Sequence, residues 1–422
     1  MDKQATEQTS AISLSSSTKG GFFENAFLSQ LRKITQGTLR IETPLDSFLL
    51  GDSSRDEIHA EIRITDKTFF RKACLGGSLG VSDSFADGGW TSPDLVMLFR
   101  LFLQNQEAMD GMEGGWATFL NKIARWSYAI GQKNTIKGSR KNIALHYDLG
   151  NDFYELMLDP TMTYSCGIFD TPETTLEEAS LAKYDRIIDQ LEIKPSHHLL
   201  EIGCGWGGFA QRIAEKTQAK LTATTISEQQ YQYAVDRIRK NGWEDRIRIL
   251  KQDYRKLSGR FDRIVSIEMI EAVGHEYLPS YFAKISDLLS AQGAAMIQGI
   301  TMPDHRYEQY LKEIDYIRTR VFPGSCVPSA SAMIAAAVKR SDLRPAALHD
   351  FGHHYAQTLR EWRTRFKENE KKIAALGHDE SFRRAWEYYL CYCEAGFEEG
   401  YTGDIHLLLA KPECKLARGF PK

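Results

Sequence analysis

The sequence predicts an α/β fold: a doubly wound sheet, preceded by a smaller region of mixed helix and strand. Two observations carry this. First, the apolar run Leu199-Leu200-Glu201-Ile202 passes through Gly203-Cys204-Gly205-Trp206-Gly207-Gly208 into a segment with Ala210, Ile213 and Ala214 at helical spacing. That order is strand, glycine loop, helix. Second, strand-like runs at 220–225, 246–250, 261–267, 294–300 and 405–410 alternate with helical patterns at 228–241, 278–289 and 330–339. Such alternation gives a parallel sheet covered on both faces, with ligands at the carboxyl ends of its strands.

The 422 residues are enough for two or three domains, and 42% hydrophobic content is enough for a large core. A formal charge of −3 excludes a general nucleic-acid binder. Cys74, Cys166, Cys204, Cys326, Cys391, Cys393 and Cys414 are scattered and odd in number, which predicts reduced thiols and a cytoplasmic setting. Cys391-x-Cys393 has no second ligand pair nearby, and His353-His354 has no spaced third ligand, so no metal site is expected.

Taken in order, residues 1–20 are rich in Ser, Thr, Gln and Gly and lack an apolar segment, so they read as a disordered tail rather than a signal peptide. Residues 21–130 form the smaller α+β region. It has a strand at 60–64, a Gly/Asp-rich stretch at 76–90, and apolar helices at 94–104 and 116–130. Leu95, Leu98, Phe99 and Phe102 make a helical stripe that suits core packing, or else a lipid-facing or dimer surface. The apolar run at 95–103 is too short to span a bilayer. Residues 131–145 form a linker carrying Lys133, Lys137, Arg140 and Lys141 without an acid, either solvated or in contact with anionic headgroups. Residues 146–422 form the catalytic domain. Within it, Thr175-Leu176-Glu177-Glu178 reads as a capping box, followed by an inward face of Tyr184, Ile187, Ile188 and Leu191.

In the glycine loop, Gly203 allows the sharp turn, Gly205 lets backbone approach a ligand, and Gly208 lets helix pack on strand. The spacing fits dinucleotide dehydrogenases and S-adenosylmethionine (SAM) methyltransferases alike. Glu201 is placed to meet a cationic amino group, and Thr225-Ile226-Ser227 has no acid for a dinucleotide ribose, which favours SAM. Asp253 can accept from an adenine amino group while Tyr254 stacks on the ring. Glu268 and Glu271 both follow the strand at 261–267, and on sequence alone they compete for one role. Tyr307, Tyr310, Leu311, Ile314 and Ile317 form one apolar helix face, either a lid or ordinary core.

Several motifs occur together: Tyr164-Ser165-Cys166, Glu201-Ile202-Gly203-Cys204-Gly205-Trp206-Gly207, Thr225-Ile226-Ser227-Glu228-Gln229-Gln230, Gln252-Asp253-Tyr254-Arg255 and Phe322-Pro323-Gly324-Ser325-Cys326-Val327-Pro328-Ser329. Through them the chain, from about residue 147 to 412, resembles the cyclopropane fatty acid synthase family, which includes the mycolic acid cyclopropane synthases. Gly80-Val81-Ser82-Asp83-Ser84-Phe85-Ala86-Asp87-Gly88-Gly89-Trp90 resembles that family's lipid-engaging domain.

The resemblance implies a class I SAM-methyltransferase, Rossmann-like fold and transfer of a methylene from SAM to the cis double bond of a membrane phospholipid acyl chain. The protein would then be cytoplasmic and peripherally associated with the membrane, with homodimer formation open to it. The SAM site would comprise Tyr164, Ser165, Glu201, Gly203, Cys204, Gly205, Thr225, Ile226, Gln230, Asp253 and Tyr254. The base is implied to be a bound bicarbonate ion, held by the Cys166 and Ile267 backbone, the Glu271 side chain and the Tyr355 hydroxyl. Gln298 stands where many members have a His, and an amide donates but carries no proton. The resemblance also points to Cys393, which reads as a core thiol rather than a nucleophile. A methyl- or methylene-branched product, a dinucleotide dehydrogenase and a non-catalytic lipid-binding protein are the rival readings. Intact Glu271 and Tyr355 argue against the last.

Overall fold

The computed structural model describes residues 21–51, 58–106, 149–313 and 315–416. The chain forms two compact units divided between residues 117 and 118. The expected tail at 1–20, the helix at 116–130 and the basic linker at 131–145 lie outside the described residues.

In the first unit, α1 (Phe22–Leu31) precedes a sheet of β1 (Thr38–Glu42), β2 (Ser47–Gly51), β3 (His59–Ile64) and β4 (Trp90–Thr91), in the order β2-β1-β3-β4. Alternation in β3 buries Ala60, Ile62 and Ile64. The Gly/Asp-rich stretch at 76–90 continues α2 (Thr68–Ala86) as far as Ala86, with a break at Gly77 (φ 55°, ψ −141°). The physical reason lies at Gly80, where a Cβ would stand 2.0 Å from the Lys72 carbonyl oxygen. The glycines permit close backbone packing across the break rather than a loop. Asp94 caps α3 (Leu95–Gln104) by accepting from Met97 N at 2.9 Å. Leu95, Leu98, Phe99 and Leu101 are buried, so most of the stripe is core; Phe102 is half-buried.

The second unit opens with α4 (Asn151–Met157) and holds β5 (His198–Ile202), β6 (Lys220–Thr225), β7 (Ile247–Lys251), β8 (Phe261–Ile267), β9 (Leu289–Thr301), β10 (Arg344–Asp350) and β11 (Gly403–Ala410). They lie in the order β10-β11-β9-β8-β5-β6-β7. The five strands from β7 to β9 are parallel, as expected. β11 runs antiparallel to β9, and β10 antiparallel to β11, so the sheet is mixed rather than wholly parallel. β10 had no strand signal in the sequence because it is a mostly exposed edge strand containing Pro345.

Apolar residues cover both faces. Tyr184 and Ile187 on α5 (Leu176–Gln190), Ile213 on α6 (Gly208–Lys216), and Ala234 and Ile238 on α7 (Glu228–Lys240) pack with Leu199 and Leu221. On the other face Leu200, Ile202 and Ile264 meet Tyr281, Phe282 and Ile285 on α8 (Leu278–Leu288) and Met333 on a helix at Ala330–Arg340. The capping box at Thr175 is present.

The expected single helix around 307–322 is corrected to a helix at Asp304–Tyr310 and a separate turn at Ile317–Val321. Asp315 ends the run by accepting from Arg318 N at 2.7 Å. Tyr307 and Tyr310 are buried with Met302 and Cys326; Ile314 is outside the described residues. The C-terminal part adds a long helix at His353–Glu368 and another at Glu380–Glu398, joined by ion pairs from Arg360 and Arg363 to the buried Glu394. Among the described residues no helix is long and apolar enough to cross a membrane.

Candidate active site

The glycine loop sits at the carboxyl end of β5, where Gly203 N and Cys204 N donate to the Thr224 carbonyl at 2.9 and 3.0 Å. A Cβ on Gly203 would stand 2.9 Å from Met269 Cγ, so the loop lies directly against the residue that follows Glu268. Gly205 has positive φ (51°), and a Cβ there would meet nothing within 4 Å. At Gly208 a Cβ would stand 2.8 Å from both the Thr161 carbonyl oxygen and the Tyr184 hydroxyl, so this glycine lets the start of the helix approach α5 and the 159–163 loop closely.

Glu201 is 2% exposed, and its Oε2 has no hydrogen-bond partner among the described residues. Burial pushes its carboxyl up to about 8. A buried carboxylate oxygen with no partner among the described residues fits the ammonium group of a bound amino acid moiety. The adjacent Cys204 thiol is also pushed up by burial.

Farther along the strand ends, the Thr225 hydroxyl donates to Gln230 Oε1 at 2.9 Å, while Ser227 caps α7 and Ile226 lies half-buried between them. Arg255 holds the buried Asp253 carboxylate, from Nε at 2.9 Å and Nη2 at 2.6 Å. Tyr254 meets Tyr281 edge-on at 5.5 Å. Tyr164 shares a hydroxyl contact of 3.0 Å with Tyr389, and its ring lies 4.9 Å from that of Trp362. Ser165 Oγ accepts from the fully buried Lys183 at 2.5 Å.

The centre of the site is Glu268, one residue beyond β8. Its Oε1 accepts from Cys166 N at 2.8 Å and from Gln298 Nε2 at 2.9 Å, and its Oε2 accepts from the Tyr355 hydroxyl at 2.5 Å. Its backbone is left-handed, with φ 45° in a non-glycine residue. Such strain costs on the order of 1–3 kcal/mol and gathers at functional sites. Gln298 Nε2 also donates to Asp404 Oδ2 at 2.8 Å, and Gln298 Oε1 lies 3.2 Å from His406 Nε2.

Burial raises Glu268, opposed by the Lys183 ammonium and the Tyr355 bond. Burial together with the Glu268 charge pushes Asp404 well above the usual carboxylate range. Burial lowers Lys183, and the neighbouring acids oppose that. Glu271 is pushed up to about 8 by burial and by Glu268; its Oε1 accepts from Ile300 N at 2.6 Å and its Oε2 is unpartnered among the described residues.

This arrangement corrects the expected bicarbonate cradle. The Cys166 N–H, the Gln298 amide and the Tyr355 hydroxyl do converge, but on a carboxylate of the chain itself. Ile267 ends β8 opposite Gln298, and Glu271 turns to Ile300. The residues present do not fit a free anion at that point. Cys393 is a free, half-buried thiol whose pKa burial raises, which disfavours the thiolate form. Lys183, Asp404 and His406 were not anticipated. Lys183 had a signal, since it lies four residues before Ile187 on the inward helix face. Asp404 and His406 had none, being single polar residues in an apolar strand.

A family model described as mycolic acid cyclopropane synthetase matches residues 134–407. A tuberculostearic acid methyltransferase of Mycobacterium tuberculosis is 37% identical over 332 residues, covering 77% of each chain. A cyclopropane-fatty-acyl-phospholipid synthase of Escherichia coli is 33% identical, covering 80% of this chain and 84% of its own. Among solved structures, a mycolic acid cyclopropane synthase complexed with S-adenosylhomocysteine has a TM-score of 0.60 at 31% identity, covering 64% of this chain and 98% of that one.

Proposed function

Since the chain belongs to the mycolic acid cyclopropane synthetase family and is a SAM-dependent methyltransferase, we propose that it transfers one carbon from SAM to the cis double bond of an unsaturated phospholipid acyl chain, closing a cyclopropane. The observation that carries the reading is the contact of the glycine loop with the Glu268 turn, through Gly203 and Met269. It brings a cofactor site and a hydrogen-bonded carboxylate to one place.

SAM supplies an electrophilic methyl group on sulfur. Glu201 receives its ammonium group, and Gly205 leaves room beside it. An alkene is a weak nucleophile, so alignment matters more than activation. The new C–C bond leaves a cation on the neighbouring chain carbon. The rings of Tyr355 and Phe397, stacked 4.3 Å apart, and of Trp362, 6.0 Å from Tyr355, form an aromatic wall beside the Glu268 carboxylate. Loss of a proton from the added carbon then closes the ring. Access to the lipid is by peripheral contact at the cytoplasmic membrane surface, with the first unit engaging lipid or a second copy.

A second product differs only in which C–H bond gives up its proton: a branched alkene instead of a ring. The relative named as a tuberculostearic acid methyltransferase supports it. The test is incubation with SAM and unsaturated phospholipid vesicles, followed by mass spectrometry and NMR of the acyl chains. Gain of one CH2 with loss of all alkene protons is the expected result. Gain of one CH2 with an alkene retained gives the second product, and no gain on any unsaturated chain refutes both.

A further inference from the structure

We propose that Glu268 is the general base of this enzyme and occupies the place of a bound anion, so that turnover needs no bicarbonate. The inference rests on the one-carbon transfer proposed above. Three observations support it independently.

The first is occupancy. The backbone N–H of Cys166, the amide of Gln298 and the hydroxyl of Tyr355 come from three distant parts of the sequence, and all end on this one carboxylate. The second is the backbone. Glu268 keeps a left-handed φ of 45°, tied by its own N–H to the Gln298 carbonyl at 3.0 Å. A glycine would adopt that conformation freely, so a large acidic residue there needs a compensating use. The third is the neighbouring acid. Gln298 Nε2 donates to both Glu268 Oε1 and Asp404 Oδ2, which sets a second carboxyl beside the first, where the two can share a proton. The environment suits a base: burial raises the proton affinity of the carboxyl, and the Lys183 charge opposes that rise only in part.

The step balances within the chain and its substrate. A C–H bond of the added carbon breaks, its proton passes to Glu268 Oε2, and its electron pair forms the C–C bond that closes the ring at the cation. Glu268 then returns the proton to solvent. Three fixed donors also disperse the carboxylate charge, which disfavours its attack on the cation to form an ester.

The experiment compares wild type, Glu268→Gln and Glu268→Gly in buffer stripped of carbon dioxide, with SAM and unsaturated phospholipid vesicles, before and after adding bicarbonate. Wild-type turnover is expected to be the same in both buffers. Both variants are expected to lose about 100-fold or more in kcat, the range for a positioned base. Bicarbonate is expected to restore activity to the glycine variant, which opens the cradle, and not to the glutamine variant, which keeps it filled. Separately, without SAM or lipid, bicarbonate is expected to raise the melting temperature of Glu268→Gly and leave wild type unmoved. A wild-type rate that falls in stripped buffer and returns with bicarbonate would overturn the proposal, as would full turnover by Glu268→Gln. If wild type acts on no unsaturated lipid, the reading of the reaction fails instead, and the melting comparison still decides whether Glu268 fills an anion site. If the glycine variant does not fold, the wild-type and glutamine measurements decide alone.

Discussion

The Tyr355 hydroxyl donates to Glu268 Oε2 at 2.5 Å, across 87 residues of sequence. The bond joins the first turn of a C-terminal helix to the end of a central strand. It ties the proposed base to the aromatic wall formed by Tyr355, Phe397 and Trp362.

Tyr355→Phe removes one of three donors to the ionised form of Glu268. A bond to a charged group contributes about 1.5–3 kcal/mol, so kcat should fall about 10- to 100-fold. Loss of a donor to the charged form raises the carboxyl's pKa further. The acid limb of the kcat profile should therefore move to higher pH while SAM affinity holds. An acid limb unmoved by the substitution would mean that this bond does not reach the titrating base.

Glu201 and Glu271 give a pH dependence of opposite sense to a salt-bridged acid. Both are raised from 4.5 to about 8, mainly by burial. In the unfolded chain they ionise near 4.5, while in the folded protein they hold their protons to about 8. Stability they contribute is thus fully present below pH 4.5 and lost as pH rises to about 8, by up to about 1.4 kcal/mol per pH unit for each group. Glu271→Gln should flatten part of that decline in chemical denaturation. A SAM ammonium beside Glu201 favours its ionised form, so binding in this window releases a proton. Affinity should rise with pH, by at most about tenfold per unit. Calorimetry in buffers of different ionisation heat measures that proton, and a pH-independent Kd in wild type would remove Glu201 from the ammonium site.

Much of this was legible in advance, for reasons that differ by residue. The glycine loop and the strands through β9 announced themselves because buried parallel strands are continuous apolar runs. The direction of β11 was not legible, since Ile405 to Ala410 is equally apolar whichever way it runs. The donors around the centre were named from resemblance, and Cys166, Gln298 and Tyr355 do meet. What they hold was not legible. Glu268 and Glu271 both follow β8, and only the backbone turn at φ 45° sends the first of them inward. Asp253 was visible as an acid at a strand end, but its engagement by Arg255, two residues on, depends on a local turn.

Gly205→Val tests the open side of the loop. A Cβ there meets nothing within 4 Å, so the position has room for a branch point, and the left-handed φ of 51° is what opposes the substitution. The strain costs on the order of 1–3 kcal/mol. The expected outcome is a protein that melts somewhat lower but remains folded, with SAM binding lost. Gly203→Ala contrasts with it, because its Cβ would collide with Met269 Cγ at 2.9 Å and push the Glu268 turn. That variant should lose turnover more than affinity. Unaltered SAM binding by Gly205→Val, measured by calorimetry, would place the cofactor elsewhere.

Gln298→His probes the centre from the other side. The Gln298 amide uses both N–H groups, one to Glu268 and one to Asp404, and its oxygen faces His406. A neutral imidazole has one N–H and cannot serve two carboxyl groups. A cationic one would sit buried near Lys183, whose ammonium burial already disfavours. Alone, the substitution should lower both kcat and melting temperature. In the Glu268→Gly background the cradle is open, and a single imidazole N–H can face the anion that enters it. The double variant should then reach half-maximal turnover at a lower bicarbonate concentration than Glu268→Gly alone. Equal half-saturation in the two would show that position 298 does not face the anion site. The account of Glu268 as the carboxylate that fills it would then have lost one of its three supports.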